Sequence, residues 1–344
     1  MLIYRTPLKI ISFFNHKGGV SKTTTVYHLG WKLAQLGKRV LMVDADSQCN
    51  LTLMSIGEDN IEDFVRQNPN NNIKSCLDVA FNSKPELIPI PPCIKVKSME
   101  NLLLMPGSFE ITEFEVQLGI ACQLTNSFST MNALPGSFSY LFEETAKANE
   151  IDIVLIDLNP SLSSINQVLL SSSDYFILPT SPDYFSQMAI SSMSRILPKW
   201  ERWAVQAREM FEDSSYKMHH CVPKFLGYTV NDYSIRNKKP TAAFSNIISQ
   251  TENLIDTVLF PELQKVNMTI DRSNYTRGSL LLASVSNYQG LMPLYQQYGI
   301  PVFALNDEQL SSTGIILKGQ QEKRESFNQT YTNCANEIIR LISI

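Results

Sequence analysis

An apolar run at residues 9–14 (KIISFF) ends in Asn15-His16-Lys17-Gly18-Gly19, and from Lys22 onward Val26, Leu29, Leu33 and Leu36 recur at helical spacing until Gly37. A buried strand that meets a glycine turn and leaves as an amphipathic helix is the front half of a βαβ unit. Residues 39–43 (RVLMV) supply the second strand, which stops at Asp44. Strands joined through a helix run parallel, with a right-handed crossover. A parallel sheet needs cover on both faces, so this one unit commits the chain to an α/β layer structure.

The turn between the first strand and helix reads Lys17-Gly18-Gly19-Val20-Ser21-Lys22-Thr23-Thr24. Two glycines let the backbone curl until several N–H groups converge. The helix start adds free N–H donors and the positive end of its dipole, so the loop suits a phosphate. In such a loop Lys22 reaches the β- and γ-phosphates of a nucleotide and the Thr23 hydroxyl ligates Mg²⁺. A glycine turn with a solvated lysine is the bland alternative; the strand–loop–helix setting weighs against it.

Two further segments carry acids where such a site needs them. Asp44 and Asp46 lie just past a strand next to the loop, where ligands bind in open α/β sheets. Residues 152–157 (DIVLID) form an apolar strand ending in Asp157, placed to hold Mg²⁺ through water. Alone, either would pass for solvated acids at a strand end.

Beyond these, helices are expected near 60–68, 73–81, 137–149, 163–172, 186–212 (interrupted near Pro198), 240–260 and 321–343. Strands are expected at 101–105, 175–178, 225–230, 280–285 and 301–304. Strands alternating with helices predict one doubly wound, mostly parallel sheet flanked by helices. The 344 residues, 44% hydrophobic and 18% charged, suffice for one large core. No apolar run is long enough to span a bilayer. The N-terminus reads as a lead-in to the first strand rather than a signal peptide. The six cysteines form no CxxC pair, which argues for reduced thiols in a cytoplasm and against a metal clip of close spacing. The pair His219-His220 has no acid or cysteine at ligand spacing and reads as a surface pair. Trp31, Trp200 and Trp203 fall at helical positions and read as core or interface.

Residues 17–24 resemble the deviant Walker A box, KGGxxK[ST], of the ParA/MinD family of P-loop ATPases. Asp44-Ala45-Asp46-Ser47-Gln48-Cys49-Asn50 is similar to that family's DxDPQGN box, and residues 157–161 to its DxPPS box. Ser21, Ser47, Cys49 and Asn159 depart from the residues usual there. The resemblance runs over roughly residues 9–340. It implies a single P-loop ATPase domain over residues 1–344, with insertions near 58–100, 186–222 and 241–280. It implies a cofactor pair of ATP and Mg²⁺ held by Lys17, Gly18, Gly19, Val20, Ser21, Lys22, Thr23 and Thr24. Thr23, Asp44 and Asp157 would serve the metal, and Asp46 would orient the attacking water. Lys17 matches the signature lysine that reaches a partner subunit's nucleotide, which implies an ATP-dependent homodimer. The base is expected near Asn231, Asn287 and Pro301, and the motifs leave ATP against GTP open.

Family members bind DNA through phosphate contacts, without sequence preference. Arg236 takes the place of a DNA-touching arginine, with Lys238 and Lys239 beside it. The net charge of −4 excludes a wholesale basic surface, and residues 286–293 carry no basic residue. The C-terminal residues 336–344 lack the basic amphipathic pattern of a membrane-binding helix. The resulting expectation is a ParA-like dimerisation switch that hydrolyses ATP and positions DNA or another cargo with a stimulating partner protein. The alternatives are an ATPase regulator of a protein assembly that never binds DNA, and a P-loop metabolic ligase or kinase.

Overall fold

The computed structural model describes residues 7–96, 99–123, 131–236, 239–240, 242–276 and 278–343. In chain order the strands are β1 (Lys9–Phe13), β2 (Val40–Ala45), β3 (Ile94–Lys95), β4 (Leu102–Met105), β5 (Ile153–Leu158), β6 (Tyr175–Thr180), β7 (Lys224–Tyr233), β8 (Ile235–Arg236), β9 (Lys239–Pro240) and β10 (Leu281–Ser286). The helices are α1 (Lys22–Gln35), α2 (Asn50–Ile56), α3 (Glu58–Gln67), α4 (Ile73–Phe81), α5 (Glu115–Gln123), α6 (Leu134–Ala148), α7 (Ser164–Ser171), α8 (Tyr184–Met210), α9 (Ala242–Leu254), α10 (Phe260–Gln264), α11 (Met292–Tyr298) and α12 (Gly314–Ile342).

Eight strands form one sheet in the order β10-β7-β6-β1-β5-β2-β4-β3. All neighbours run parallel except β3, which closes one edge antiparallel to β4. This is the doubly wound, mostly parallel sheet flanked by helices that the alternating pattern predicts. Every residue of β2 and β5 is buried, as strands covered on both faces require. Helix α1 lies close on the sheet because Gly30 has no side chain; a Cβ there would stand 2.7 Å from Met42 Sδ. The chain moves to one side of β1 for β2 and to the other for β6, so the loop after β1 sits at the switch point of the sheet.

Three local expectations change. Helix α8 runs unbroken through Pro198. Leu197, Pro198 and Trp200 are buried there and Trp200 packs on Phe14 at 5.4 Å, so packing offsets the missing backbone N–H. Residues 302–304 form a 3₁₀ turn instead of a strand, and the Val302 N–H donates to His28 Nε2 (3.3 Å) in place of a sheet neighbour. Helix α12 starts at Gly314, one to two turns before the expected 321.

Candidate nucleotide-binding site

The loop between β1 and α1 is held from beneath. Asn15 is fully buried; its Nδ2 donates to the Pro179 carbonyl (2.8 Å) and its Oδ1 accepts from the Lys17 N–H (2.9 Å). Asn231, also buried, donates through Nδ2 to the Val20 carbonyl (3.0 Å). Gly19 turns at φ 72°, and Ser21, the residue before α1, takes φ 60°, ψ 35° with no side-chain cap bond. Cys49 repeats this before α2 at φ 53°, ψ 31°. Ser21 and Cys49 are two of the positions at which the chain departs from the usual boxes. Each keeps the left-handed turn and bears a Cβ cost of about 1–2 kcal/mol. Ser21→Gly and Cys49→Gly are each expected to stabilise the fold by about 0.5–1 kcal/mol, partly offset by the freer unfolded chain. Urea midpoints check this; a lowered midpoint for both would show that the side chains contribute contacts worth more than the strain.

The loop's two lysines are treated differently. Lys22 is buried, with Nζ 3.5 Å from the Lys17 carbonyl. Burial lowers its pKa, and the Asp157 and Asp46 carboxylates pull it back up. Lys17 instead pairs with Asp183 Oδ2 at 2.7 Å. Asp183 is the N-cap of α8 and accepts the Ser186 N–H on its other oxygen (2.9 Å). One carboxylate thus starts a 27-residue helix and holds the loop lysine.

The acids also separate into roles. Asp44 and Asp157 are register partners on β2 and β5, both fully buried. Asp44 Oδ2 accepts from the Thr52 N–H (2.8 Å) and hydroxyl (2.6 Å), and its Oδ1 from the Asp46 N–H (3.3 Å). The carboxylate assigned to the metal shell is therefore occupied in shaping the loop that carries Asp46. Burial lifts its pKa to about 6 against those hydrogen bonds. Asp157 has no hydrogen-bond donor on either oxygen. Burial raises its pKa to about 8, helped by Asp44 and opposed by Thr23 and Lys22. A buried carboxylate without a partner, next to a threonine hydroxyl and a lysine, fits a hydrated Mg²⁺. Asp46 is nearly buried and faces the cavity.

That cavity has a volume of about 450 Å³ and runs along residues 18–24. Asp46, Gln48 and Asn50 also line it, as do Met54, Met292, Tyr295 and Gln296. The last four bring apolar and aromatic surface with one amide, suitable for a nucleoside base. The sequence leads one to expect the base near Asn231, Asn287 and Pro301. Asn231 is spent beneath the loop, Asn287 Nδ2 donates to Asp232 (2.7 Å), and neither they nor Pro301 lines the cavity. The cavity instead takes Met292, Tyr295 and Gln296 from α11, directly after the last sheet strand. His28 joins this wall to the loop. Its Nδ1 meets the Thr24 carbonyl (2.8 Å), its Nε2 accepts from Val302, and Tyr288, Tyr295, Phe303 and Tyr331 surround it. Burial holds its pKa down near 3, so the ring is neutral.

Arg236 and Lys239 lie opposite each other on the two-stranded ribbon β8–β9, past the carboxyl end of β7, the end that carries the loop. Lys238 lies outside the described residues. Trp31 and Trp200 are buried. His219 is no bare surface residue: its ring lies against Glu143 and Asp174, acids distant in sequence that spacing along the chain did not reveal.

A family model described as an AAA domain matches residues 8–204. The sporulation initiation inhibitor protein Soj of Bacillus subtilis is 30% identical over 185 residues, 54% of this chain and 63% of that protein. The chain thus covers a little under two thirds of the length of the first curated relatives it matches. An aspartate-to-alanine variant of Cyanothece McdA, solved as an ATP complex, matches 94% of this chain and 96% of its own with TM-score 0.59 at 14% identity. pNOB8 ParA bound to nonspecific DNA matches 98% and 99% with TM-score 0.53 at 17% identity. At these identities the likeness to the solved structures establishes the fold alone.

Proposed function

The chain belongs to the AAA-domain family and is a P-loop ATPase of the ParA/MinD type, and we propose that it is a switch in which ATP closes a homodimer and hydrolysis opens it. The observation that carries this is the Lys17–Asp183 pair. A loop lysine tethered to its own chain is available to a second copy only when something displaces it. A triphosphate in the neighbouring subunit offers more negative charge than one half-exposed carboxylate. Beside the pair, Tyr184 and Phe185 expose apolar rings, the kind of surface a closing subunit covers.

Within one subunit the loop amides and Lys22 grip the phosphates, and Thr23 and Asp157 hold Mg²⁺. When bound, the metal neutralises charge on the β- and γ-phosphates. Asp46, fixed through Asp44 and Thr52, orients water on the γ-phosphate. Met292, Tyr295 and Gln296 contact the base. The domain boundaries implied by the resemblance belong to the same proposal. So do non-specific DNA binding through the β8–β9 ribbon, a stimulating partner, and a role in DNA partitioning or cargo positioning. A regulator that never binds DNA is the second reading, favoured by the net charge of −4 and the lack of basic residues over 286–293. Random DNA titrated at low salt with ATP separates the two.

Size-exclusion chromatography with light scattering tests the switch. Asp46→Ala with Mg-ATP is expected to run as a dimer and to lose turnover at least about 10²-fold, as loss of a water-positioning group does. Lys17→Ala should bind ATP and stay monomeric. Asp183→Asn keeps the α8 cap but weakens the hold on Lys17, lowering the ATP needed for dimerisation up to about fivefold, the scale of a part-exposed ion pair. A monomer under all conditions, or a dimer indifferent to Lys17, would sink the switch.

A further inference from the structure

At the opposite end of the sheet from the nucleotide cavity, three side chains of metal-ligating type converge. Asp174 immediately precedes β6, and His219 and Cys221 lie in the connection from α8 to β7. Their ligand atoms all lie within 4.8 Å of one another. His219 Nε2 is 3.2 Å from Asp174 Oδ1. Two ligands at the usual zinc bond lengths in a tetrahedron stand about 3.3 Å apart, so this edge already has the spacing of a coordinated pair. On the far side of the ring, His219 Nδ1 meets Glu143 Oε1 at 2.9 Å. A carboxylate on the second ring nitrogen is the arrangement that fixes the tautomer of a ligating histidine.

The surroundings hold these groups in place independently of one another. The Ile10 N–H donates to the other Asp174 oxygen at 2.7 Å, which leaves Oδ1 turned to His219. Arg208 anchors the His219 backbone: its Nε donates to the His219 carbonyl (2.9 Å) while its other nitrogens bond Glu201 (2.9 Å) and the Ser171 carbonyl (3.1 Å). Glu143 comes within reach because α6 touches the α8–β7 connection at Gly136, where a Cβ would stand 1.9 Å from the Tyr216 carbonyl oxygen. The Cys221 thiol donates to the Ser173 carbonyl, next to Asp174 (3.3 Å). Two cations lie nearby: Lys9, over the Tyr175 ring, also favours the charged form of Asp174, and Lys224 donates to the Asn267 carbonyl.

We propose that Asp174 Oδ1, His219 Nε2 and Cys221 Sγ bind a divalent ion of the zinc class, with Glu143 orienting the imidazole. Mixed nitrogen, sulfur and oxygen donors suit Zn²⁺, with Co²⁺ as its spectroscopic substitute, and exclude Mg²⁺ and Ca²⁺. Binding displaces the thiol proton and, where the ring is protonated, the Nε2 proton, and solvent takes both. Thiolate and carboxylate then balance the ion's two charges, and water completes the tetrahedron. The ion ties β6, α6 and the α8–β7 connection together at a distance from the nucleotide.

The test is a Co²⁺ titration of reduced, chelator-stripped protein saturated with Mg-ATP, followed by displacement with Zn²⁺. The expected result is one equivalent bound with thiolate-to-cobalt charge transfer, lost in Cys221→Ser and retained in Cys49→Ser, the thiol beside the nucleotide loop. Glu143→Gln leaves all three ligands intact and should weaken binding about 10–100-fold. It decides the question should Cys221→Ser fail to fold. Absence of charge transfer in the wild-type chain, its persistence in Cys221→Ser, or unchanged affinity in Glu143→Gln would each overturn the site.

Discussion

A Lys22→Ala chain is expected to lose ATP affinity by about 10²–10³-fold while retaining its fold. Lys22 is 7% exposed and faces the Asp157 and Asp46 carboxylates as well as the loop. In the complex its ammonium pairs with the phosphates, and removing one partner from a buried charge pair costs about 3–5 kcal/mol, because the phosphate charge stays desolvated. At about 1.4 kcal/mol per decade that cost is the stated loss of affinity. The free protein responds as well. Burial outweighs the two carboxylates at Lys22 and lowers its pKa on balance, so removing the ammonium relieves a buried charge and the nucleotide-free variant should melt at or above wild type. Mg-ATP should raise the wild-type midpoint strongly and the variant's hardly at all. Lys22→Arg does not rescue, since a planar fork in a slot sized for an ammonium cannot direct one charge at two phosphates. Isothermal titration settles the first point and thermal melts the second. Undiminished affinity in Lys22→Ala would take the triphosphate away from residues 17–24.

The parts of this site that can be read from sequence are those whose chemistry fixes residue type at fixed offsets. A backbone cradle needs Gly18 and Gly19, a phosphate needs Lys22, and a strand-end metal site needs Asp157. The doubly wound, mostly parallel sheet follows from the same alternation of apolar runs and helical stripes; its strand order and the antiparallel edge strand β3 do not. What the sequence hides is pairing across distance. Lys17 and Asp183 are 166 positions apart and meet only because β6 lies beside β1. Asp44 has the right residue type to support a metal shell, but that three donors eight or fewer residues downstream also bond it is a pairing that a string of letters does not show. The α11 lining of the cavity is hidden for a related reason. Residues 301–304 have strand composition, but the Val302 N–H donates to His28 Nε2 in place of a sheet neighbour, the chain passes by as a 3₁₀ turn, and α11 supplies part of the cavity lining.

Asp157→Asn is expected to act with opposite signs in the free and bound protein. Folding raises the Asp157 pKa from 3.8 to about 8, chiefly through burial. The native state therefore holds a proton that the unfolded chain releases between the ordinary carboxylate range and pH 8. Stability varies with pH as protons bound by the unfolded state minus those bound by the native state, and this difference is negative throughout that window. The free wild-type protein thus loses stability as pH rises from about 4 to 8, and Asp44, lifted to about 6, adds to the slope with the same sign. Asparagine keeps the shape without the charge, so the variant's stability should be flatter in pH. It should exceed wild type at pH 8 by on the order of a few kcal/mol, converging toward pH 4. Mg-ATP reverses the order. In the wild-type chain the cation meets a carboxylate that has no other partner, so binding removes the burial penalty and the pH slope together. In the variant the metal meets a neutral amide, and turnover should fall at least about 10²-fold. Urea denaturation at several pH values, with and without Mg-ATP, reads both halves. A pH-independent gap between the two chains, or equal stabilisation by Mg-ATP, would mean that Asp157 is a buried structural acid and that the metal is held elsewhere.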